Sequence, residues 1–402
     1  MNDTFPILKQ TINGYPLRYL DNASTSQKPQ VVIDAMVDFY TQKNANIYRG
    51  THAFGEVATQ AYENARATVA QFIGAHADEI VFTSGCTESL NYVACAWAMQ
   101  HIRSDDTIVI SALEHHANIM PWQRVVAARG AQLRVIPVHA DGTLNIDNLN
   151  AIISMGTKLV SITHISNALG TIVDVEPIIA RARAVGALVC IDAAQSVAHK
   201  RIDVHALECD FLAFSGHKLF GPTGIGVLYI KKEIQAQVEP YQVGGGMVSA
   251  VSWTQSTYLQ SVNKFEAGTP AIAQAIGLAA AVEYVNTLDF KALEKHEASL
   301  CSNLIEGLEK ISGTRILGPV SALKQRGHIV SFTVDGIHPH DIAAFLSERG
   351  ICVRAGNYCA QPLFTALGLE GSVRVSFAGY NTQEDVAFLL ESVSELVDLF
   401  NR

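Results

Sequence analysis

The sequence predicts an α/β protein: a large domain with a mostly parallel sheet covered by helices, then a small α+β domain. Three observations lead there. Between about residues 80 and 230, short β-rich runs alternate with segments of helical length, the pattern of strands joined by crossovers in an open sheet. From about residue 328 the pattern changes to a compact mixture of short strands and helices. The composition sets the scale: 402 residues, 49% hydrophobic and 17% charged, supply an ordinary globular core.

The expected strands of the large sheet are 80–83, 107–111, 133–137, 158–164, 188–192, 211–214 and 225–230. Between the first two, Leu90, Val93, Ala94, Trp97 and Ala98 recur at helical spacing. Runs as apolar as 188–192 fit strands covered on both faces. Functional residues in such sheets gather beyond the carboxyl ends of the strands. Apolar residues then thicken over 271–285, which reads as a long buried or domain-linking helix. In the small domain, 328–334, 351–354 and 373–377 read as strands and 339–348 as a helix. A final helix opens with Asn381 at the cap and Glu384 three residues on, a capping-box pattern. Val386, Leu389, Leu390, Val393, Leu396, Val397 and Phe400 follow at helical spacing.

The formal net charge of −9 argues against non-specific binding to nucleic acid or anionic membranes as the main task. Seven cysteines, an odd number with no Cys-x-x-Cys, point to a reduced, cytoplasmic setting. The opening MNDTFPILKQ carries an early Asp and no apolar core, so no secretory signal is expected.

The sharpest local feature is Ser215-Gly216-His217-Lys218, followed by Leu219-Phe220-Gly221-Pro222. It places Lys218 just past the end of an apolar strand, where a lysine can be desolvated and become a nucleophile. Asp192 ends another strongly apolar strand, where an unpaired carboxylate is costly. It needs either an N-cap role or a cationic partner, such as the protonated pyridine nitrogen of pyridoxal phosphate; Gln195, one turn on, is placed to contact the ring oxygen. The strand, small-residue turn and helix start around Cys86 and Thr87 make a phosphate site from backbone N–H groups and the helix dipole. It is neither a Walker A loop nor a Gly-x-Gly-x-x-Gly turn.

His115 and His116 follow the second strand. Adjacent histidines on one element do not present two ligands to one ion and no third ligand stands at a recognised spacing, so no metal site is expected there. An imidazole stacked on a cofactor ring and able to move protons fits His115 better. His338 and His340 read as a turn and helix entry. The last constellation is Arg354-Ala355-Gly356-Asn357-Tyr358-Cys359, with Arg374 beyond it. Two arginines flanking the loop can hold a carboxylate, Arg374 through a bidentate fork. Positive neighbours favour the thiolate, which makes Cys359 a candidate nucleophile.

Together these segments resemble the class V aminotransferase family of fold-type I pyridoxal-phosphate enzymes, and within it the group II (SufS/CsdA-type) cysteine desulfurases. The resemblance runs nearly end to end. It also takes in Tyr19-Leu20-Asp21-Asn22-Ala23-Ser24, Ser166-Asn167-Ala168-Leu169-Gly170 and Phe265-Glu266-Ala267-Gly268-Thr269-Pro270. It implies pyridoxal 5′-phosphate as cofactor, with Lys218 as its covalent anchor and Asp192 as the pyridinium partner. It makes Gln195 the contact of the ring hydroxyl and His115 the stacking imidazole. The phosphate would fall to Thr87, Ser215 and His217, with Cys86 among the cofactor-binding residues and Thr269 reaching the neighbouring subunit's phosphate in a homodimer. Asn167 would lie beside the cofactor, Arg374 and Arg354 would hold the substrate carboxylate, and Cys359 would accept sulfur. The implied reaction converts L-cysteine to L-alanine and passes sulfur on to a small SufE/CsdE-like acceptor. Selenocysteine lyase and cysteine-sulfinate desulfinase are the alternatives on the same scaffold; outside enzymes, the alternative is a silent sulfur-trafficking homologue. Two departures stand out. Ser84-Gly85-Cys86 replaces the Arg-Gly-Thr of many relatives, and Tyr358 stands where relatives often carry His.

The expected division is an N-terminal segment at 1–18 associated with the small domain, a large cofactor-binding domain at 19–285, and a small domain at 286–402 carrying the Cys359 loop.

Overall fold

The computed structural model describes residues 4–400; the first three residues of the expected N-terminal segment and the last two of the expected small domain lie outside them. The alternation of 80–230 folds into one seven-stranded sheet of β1 (Ile80–Thr83), β2 (Thr107–Ser111), β3 (Gln132–Ile136), β4 (Thr157–Thr163), β5 (Leu188–Asp192), β6 (Phe211–Ser215) and β7 (Gly226–Ile230). Their order across the sheet is β1-β7-β6-β5-β4-β2-β3. Only β7 opposes its neighbours; the other strands run in one direction. The chain therefore delivers Thr83, Ser111, Thr163, Asp192 and Ser215 to the same edge. Strands β1, β2, β5, β6 and β7 are buried almost throughout, as expected where helices cover both faces.

Two packed layers make that cover. The helices α1 (Ala53–Phe72) and α2 (Cys86–Val93) carry apolar faces onto the sheet. The apolar stretch read from the sequence forms α3 (Ile272–Asn286), which buries residues around its whole circumference, among them Ile272, Ala275, Leu278, Val282 and Val285. It is a core helix, as its lack of a polar face requires. Near the N-terminus, Phe5 is 1% exposed and packs on Phe220, Tyr284 and Tyr380.

The C-terminal part forms an antiparallel sheet of β8 (Thr314–Leu317), β9 (Ile329–Val334), β10 (Arg354–Gly356) and β11 (Ser372–Ser376), ordered β8-β9-β11-β10. Helices α4 (Phe290–Leu308) and α5 (Gln383–Phe400) pack beside it around Leu304, Phe332, Leu389 and Val393.

Two local expectations need correction. The strand expected at 351–354 is two pieces. Ile351–Cys352 pairs in parallel with Arg18–Tyr19, whereas β10 pairs with β11, so the chain changes sheets at Val353. The last helix is capped one residue later than its sequence pattern suggests. Thr382 Oγ1 accepts from Asp385 N, and Asp385 Oδ2 accepts from Thr382 N. Asn381 is drawn elsewhere: its Oδ1 accepts from Ala378 N and Asn22 Nδ2.

Candidate active site

The aligned carboxyl ends of the strands open into a cleft of about 260 Å³, lined by residues from the loops that follow them and from the C-terminal sheet. From the first strand come Cys86 and Thr87 at the start of α2. The loop after β2 supplies His115, the loop after β4 Asn167, the end of β5 Asp192 and Gln195, and the turn after β6 Ser215, His217 and Lys218. Arg354, Tyr358, Cys359 and Arg374 close it from the other side. Every site residue expected from sequence lines this cleft except Thr269, which is exposed and outside it.

Asp192 is 4% exposed, and both donors that reach it fall on one oxygen. Ala194 N donates to Oδ1 at 2.9 Å and the Cys86 thiol to the same atom at 3.4 Å. Oδ2 is left for a further cationic or N–H partner in the cleft. Burial drives the Lys218 ammonium below its ordinary range, with Asp192 opposing the shift and Arg374 adding to it; a lysine so placed gives up its proton readily. Burial also pushes the Cys86 thiol up, and the charge of Asp192 adds to the effect, so Cys86 acts as a neutral donor.

The turn that holds Cys86 is positioned by backbone contact. A Cβ on Gly226 would stand 2.4 Å from the Gly85 Cα, so only glycine lets β7 pass so close. Ser215 Oγ then accepts from Cys86 N at 2.8 Å, which ties the end of β6 to the start of α2. His217 is pushed down to about 4 by burial, with Lys218 and Lys28 reinforcing the shift. His115 is likewise held at about 4, first by burial and then by the charge of Lys218. Its Nδ1 accepts from Ala117 N at 3.1 Å, which leaves the proton of the neutral ring on Nε2. Gln195 commits Nε2 to Ala23 O at 2.7 Å, leaving Oε1 as the free end.

The loop around Cys359 is bound to the large sheet's loops. Tyr358 and Cys359 both adopt left-handed backbone, with φ of 54° and 56°, a conformation that costs roughly 1–2 kcal/mol per residue. Three contacts hold it. Asn167 Nδ2 donates to Tyr358 O at 2.7 Å, His116 N to Cys359 O at 2.6 Å, and Gln361 N to His116 Nε2 at 3.1 Å. Of the seven cysteines, Cys359 alone is exposed. Tyr358, in place of histidine, bonds Ser372 through its hydroxyl and lays its ring 4.7 Å from the Arg374 guanidinium carbon.

Arg374 is 2% exposed. It donates to Asn167 O at 2.7 Å, Ser24 Oγ at 2.8 Å and Asp21 Oδ1 at 3.1 Å, while its Nε is buried with no partner. Arg354 is more exposed and approaches Asp21 Oδ2 at 4.0 Å. Asp21 thus orients both arginines, a role the sequence did not reveal. Glu114 is a second such residue. It is fully buried, receives Asn118 Nδ2 at 2.6 Å and Thr163 N at 2.9 Å, and fixes the loop bearing His115. Burial raises its carboxyl to about 8, against the pull of those donors.

Residues 18–389 match the class-V aminotransferase family. The chain belongs to that family. A probable cysteine desulfurase of Halalkalibacterium halodurans is 45% identical over 397 residues, covering 98% of this chain and 97% of the relative. Among solved structures, the cysteine desulfurase of Thermococcus onnurineus superposes with a TM-score of 0.92 at 41% identity, covering 98% of each chain. The Escherichia coli cysteine desulfurase CsdA gives 0.90 at 38%, covering 99% of this chain and 97% of its own. The fold expected from sequence, fold type I of the class V family, is the fold observed.

Proposed function

We propose that the protein is a pyridoxal 5′-phosphate-dependent cysteine desulfurase, converting L-cysteine to L-alanine and taking the sulfur onto Cys359 as a persulfide. The observation that carries this reading is one cleft shared by a buried lysine, a buried carboxylate with an oxygen to spare, and the only exposed thiol among the described residues.

The residues present fit the cofactor. Lys218 is desolvated for covalent attachment, and Asp192 Oδ2 is available for the pyridinium N–H. Cys86, Thr87, Ser215 and His217 surround the helix start that suits a phosphate. His115 would face the ring and Gln195 Oε1 its hydroxyl. Once bound, the group supplies an electron sink for the pair released at the substrate α-carbon.

The chain's own groups do the rest. Arg374 lines the cleft where the substrate carboxylate would sit, with Arg354 beside it and Asn167 bordering the same space. Lys218, kept short of its proton by burial, takes one from the substrate α-carbon. The Cys359 thiolate then attacks the substrate sulfur. An S–S bond forms as the C–S bond breaks, and the electron pair stays with the substrate β-carbon, which takes up a proton to give alanine. The persulfide is resolved by another thiol, on a small acceptor protein of the SufE/CsdE type.

Thr269, exposed and away from its own cleft, would complete the phosphate site of the partner in a homodimer. Among the described residues no helix is long and apolar enough to cross a membrane, and a cytoplasmic location goes with this reading. Alanine and sulfide assays with L-cysteine test the activity: Lys218→Ala should lose both turnover and the visible band of the bound cofactor. Borohydride reduction that labels a different lysine would sink the assignment. Mixing Lys218→Ala protomers with Thr269→Ala protomers should recover activity if sites are shared, whereas a fully active monomer in sedimentation would contradict the dimer.

A further inference from the structure

We propose that the end of the large sheet opposite the cleft carries a site for a divalent transition-metal ion of the zinc class, built from His76, Glu79 and His205. Each residue offers one ligand atom, and the three atoms lie within 4.8 Å of one another. Glu79 is 1% exposed, and its carboxylate is fixed from two sides. Oε2 accepts from His76 N at 2.9 Å and Oε1 from Lys232 N at 3.0 Å. Oε2 then stands 3.6 Å from His205 Nε2. Bonds of about 2.0–2.1 Å in a tetrahedral ion set neighbouring ligand atoms roughly 3.3–3.4 Å apart, so this pair needs only a small closure.

The two imidazoles are 5.6 Å apart between centroids and inclined at 54°, so their ring planes intersect instead of stacking. Both are exposed, so an ion has a way in. The His205 backbone is itself pinned, its N–H and that of Ala206 donating to Asp203 Oδ1 at 2.9 Å. A second, independent observation comes from beneath. Tyr229 is fully buried and its hydroxyl has no partner. Its ring stands edge-on to His205 at 6.4 Å, and Glu79 is the charge that acts on it most strongly. An unsatisfied buried hydroxyl thus lies beside His205 and Glu79. Two imidazoles and one carboxylate suit zinc, cobalt, nickel or copper better than magnesium or calcium.

Among the described residues one other such group exists, His199, Glu297 and His328, and its geometry excludes it. The rings of His199 and His328 stack at 3.7 Å and 15°, so their near-parallel planes do not meet at an ion about 2 Å from each nitrogen. The proposed ion would bind the turn before β1 to the loop before β6, two strands that β7 separates. It would stabilise the sheet without touching the chemistry at the opposite edge.

The test uses the cofactor-loaded enzyme, free of any histidine tag, titrated with cobalt(II) chloride. One equivalent should bind with the visible bands of a nitrogen–oxygen site and no thiolate charge-transfer band. Zinc should displace it and raise the melting temperature. His76→Ala and His205→Ala should each weaken binding about tenfold or more, with desulfuration rates unchanged. Absence of cobalt binding, a thiolate band, or binding that survives in the His76→Ala/His205→Ala double variant would overturn the site.

Discussion

Replacing Arg66 by Met should destabilise the protein by about 4 kcal/mol, and replacing its partner as well should give most of that back. Arg66 is 1% exposed and forks onto Glu266, with NH1 to Oε1 at 2.6 Å and NH2 to Oε2 at 2.9 Å, while NH1 also donates to Ile80 O at 2.8 Å. Glu266 takes two more bonds, from Phe82 N at 2.7 Å and the Tyr62 hydroxyl at 2.8 Å. Arg66→Met removes two of four donors from a buried carboxylate and leaves a buried carbonyl short. Breaking a buried ion pair from one side costs roughly 3–5 kcal/mol. With an unfolding entropy of about 2.1 cal/mol/K per residue over 402 residues, that is a fall in melting temperature of about 5 °C. Scanning calorimetry of wild type, Arg66→Met, Glu266→Leu and the double variant reads the cycle. The double variant should lie within about 2 kcal/mol of wild type, because the buried carboxylate goes with the guanidinium and the one charge that loses a partner, Glu63 at 3.2 Å from Arg66 Nε, is partly solvent-exposed. A single variant losing under about 1 kcal/mol, or losses that simply add, would refute the reasoning. Since Glu266 anchors the segment bearing Thr269, the single variants should also weaken whatever that segment contributes to a partner's site.

Burial holds the His164 imidazole at about 4, from an ordinary 6.5, and its Nδ1 has no partner. The unfolded chain takes up a proton that the folded one refuses, so stability present above about pH 6.5 is lost as the pH falls toward 4. His164→Gln should therefore reduce the loss between pH 7 and pH 5 by about 2 kcal/mol, read as the change in melting temperature at each pH; an unaltered pH dependence would contradict this. Removing the thiol donor to Asp192 with Cys86→Ala should shift the pH response of the cofactor's visible band by up to about one unit, while Cys86→Ser keeps a donor and stays near wild type. Identical spectra for the two variants would show that the contact does not matter. Tyr358→Ala takes away the ring under Arg374 and should raise KM for L-cysteine between about twofold and thirtyfold. Tyr358→Phe, which keeps the ring, should leave KM close to wild type and lose only about 1 kcal/mol of stability; equal KM values for both would argue against the ring's role.

Lys218 and Asp192 were legible in the sequence because a charged residue at the end of an apolar run is costly without a purpose, and that cost is written locally. The sheet was legible for a related reason: short, largely apolar runs alternating with helical spacing allow few other arrangements. Asp21, Asn167 and His116 were not legible in the roles they play. Asp21 meets Arg374 across most of the chain, and His116 steadies the Cys359 loop through a backbone bond. Neither contact leaves a local pattern. The helix cap shows a finer limit. Asn381 with Glu384 and Thr382 with Asp385 fit the same motif one residue apart, and the choice is made by Asn22 and Ala378, which occupy the Asn381 side chain. His76 and Glu79 stand three apart, but His205 joins them only when β1 and β6 take their places in the sheet.

The proposed reaction depends most heavily on the Cys359 thiol as the group that receives sulfur. Brief exposure of the cofactor-loaded enzyme to L-cysteine, followed by non-reducing digestion and mass spectrometry of every cysteine peptide, tests it directly. The added sulfur atom should sit on the Cys359 peptide alone, and Cys359→Ser should carry none and make no alanine while keeping the cofactor's absorption. Sulfur mapped to Cys352 or Cys86, no persulfide at all, or normal turnover of L-cysteine by Cys359→Ser would contradict it.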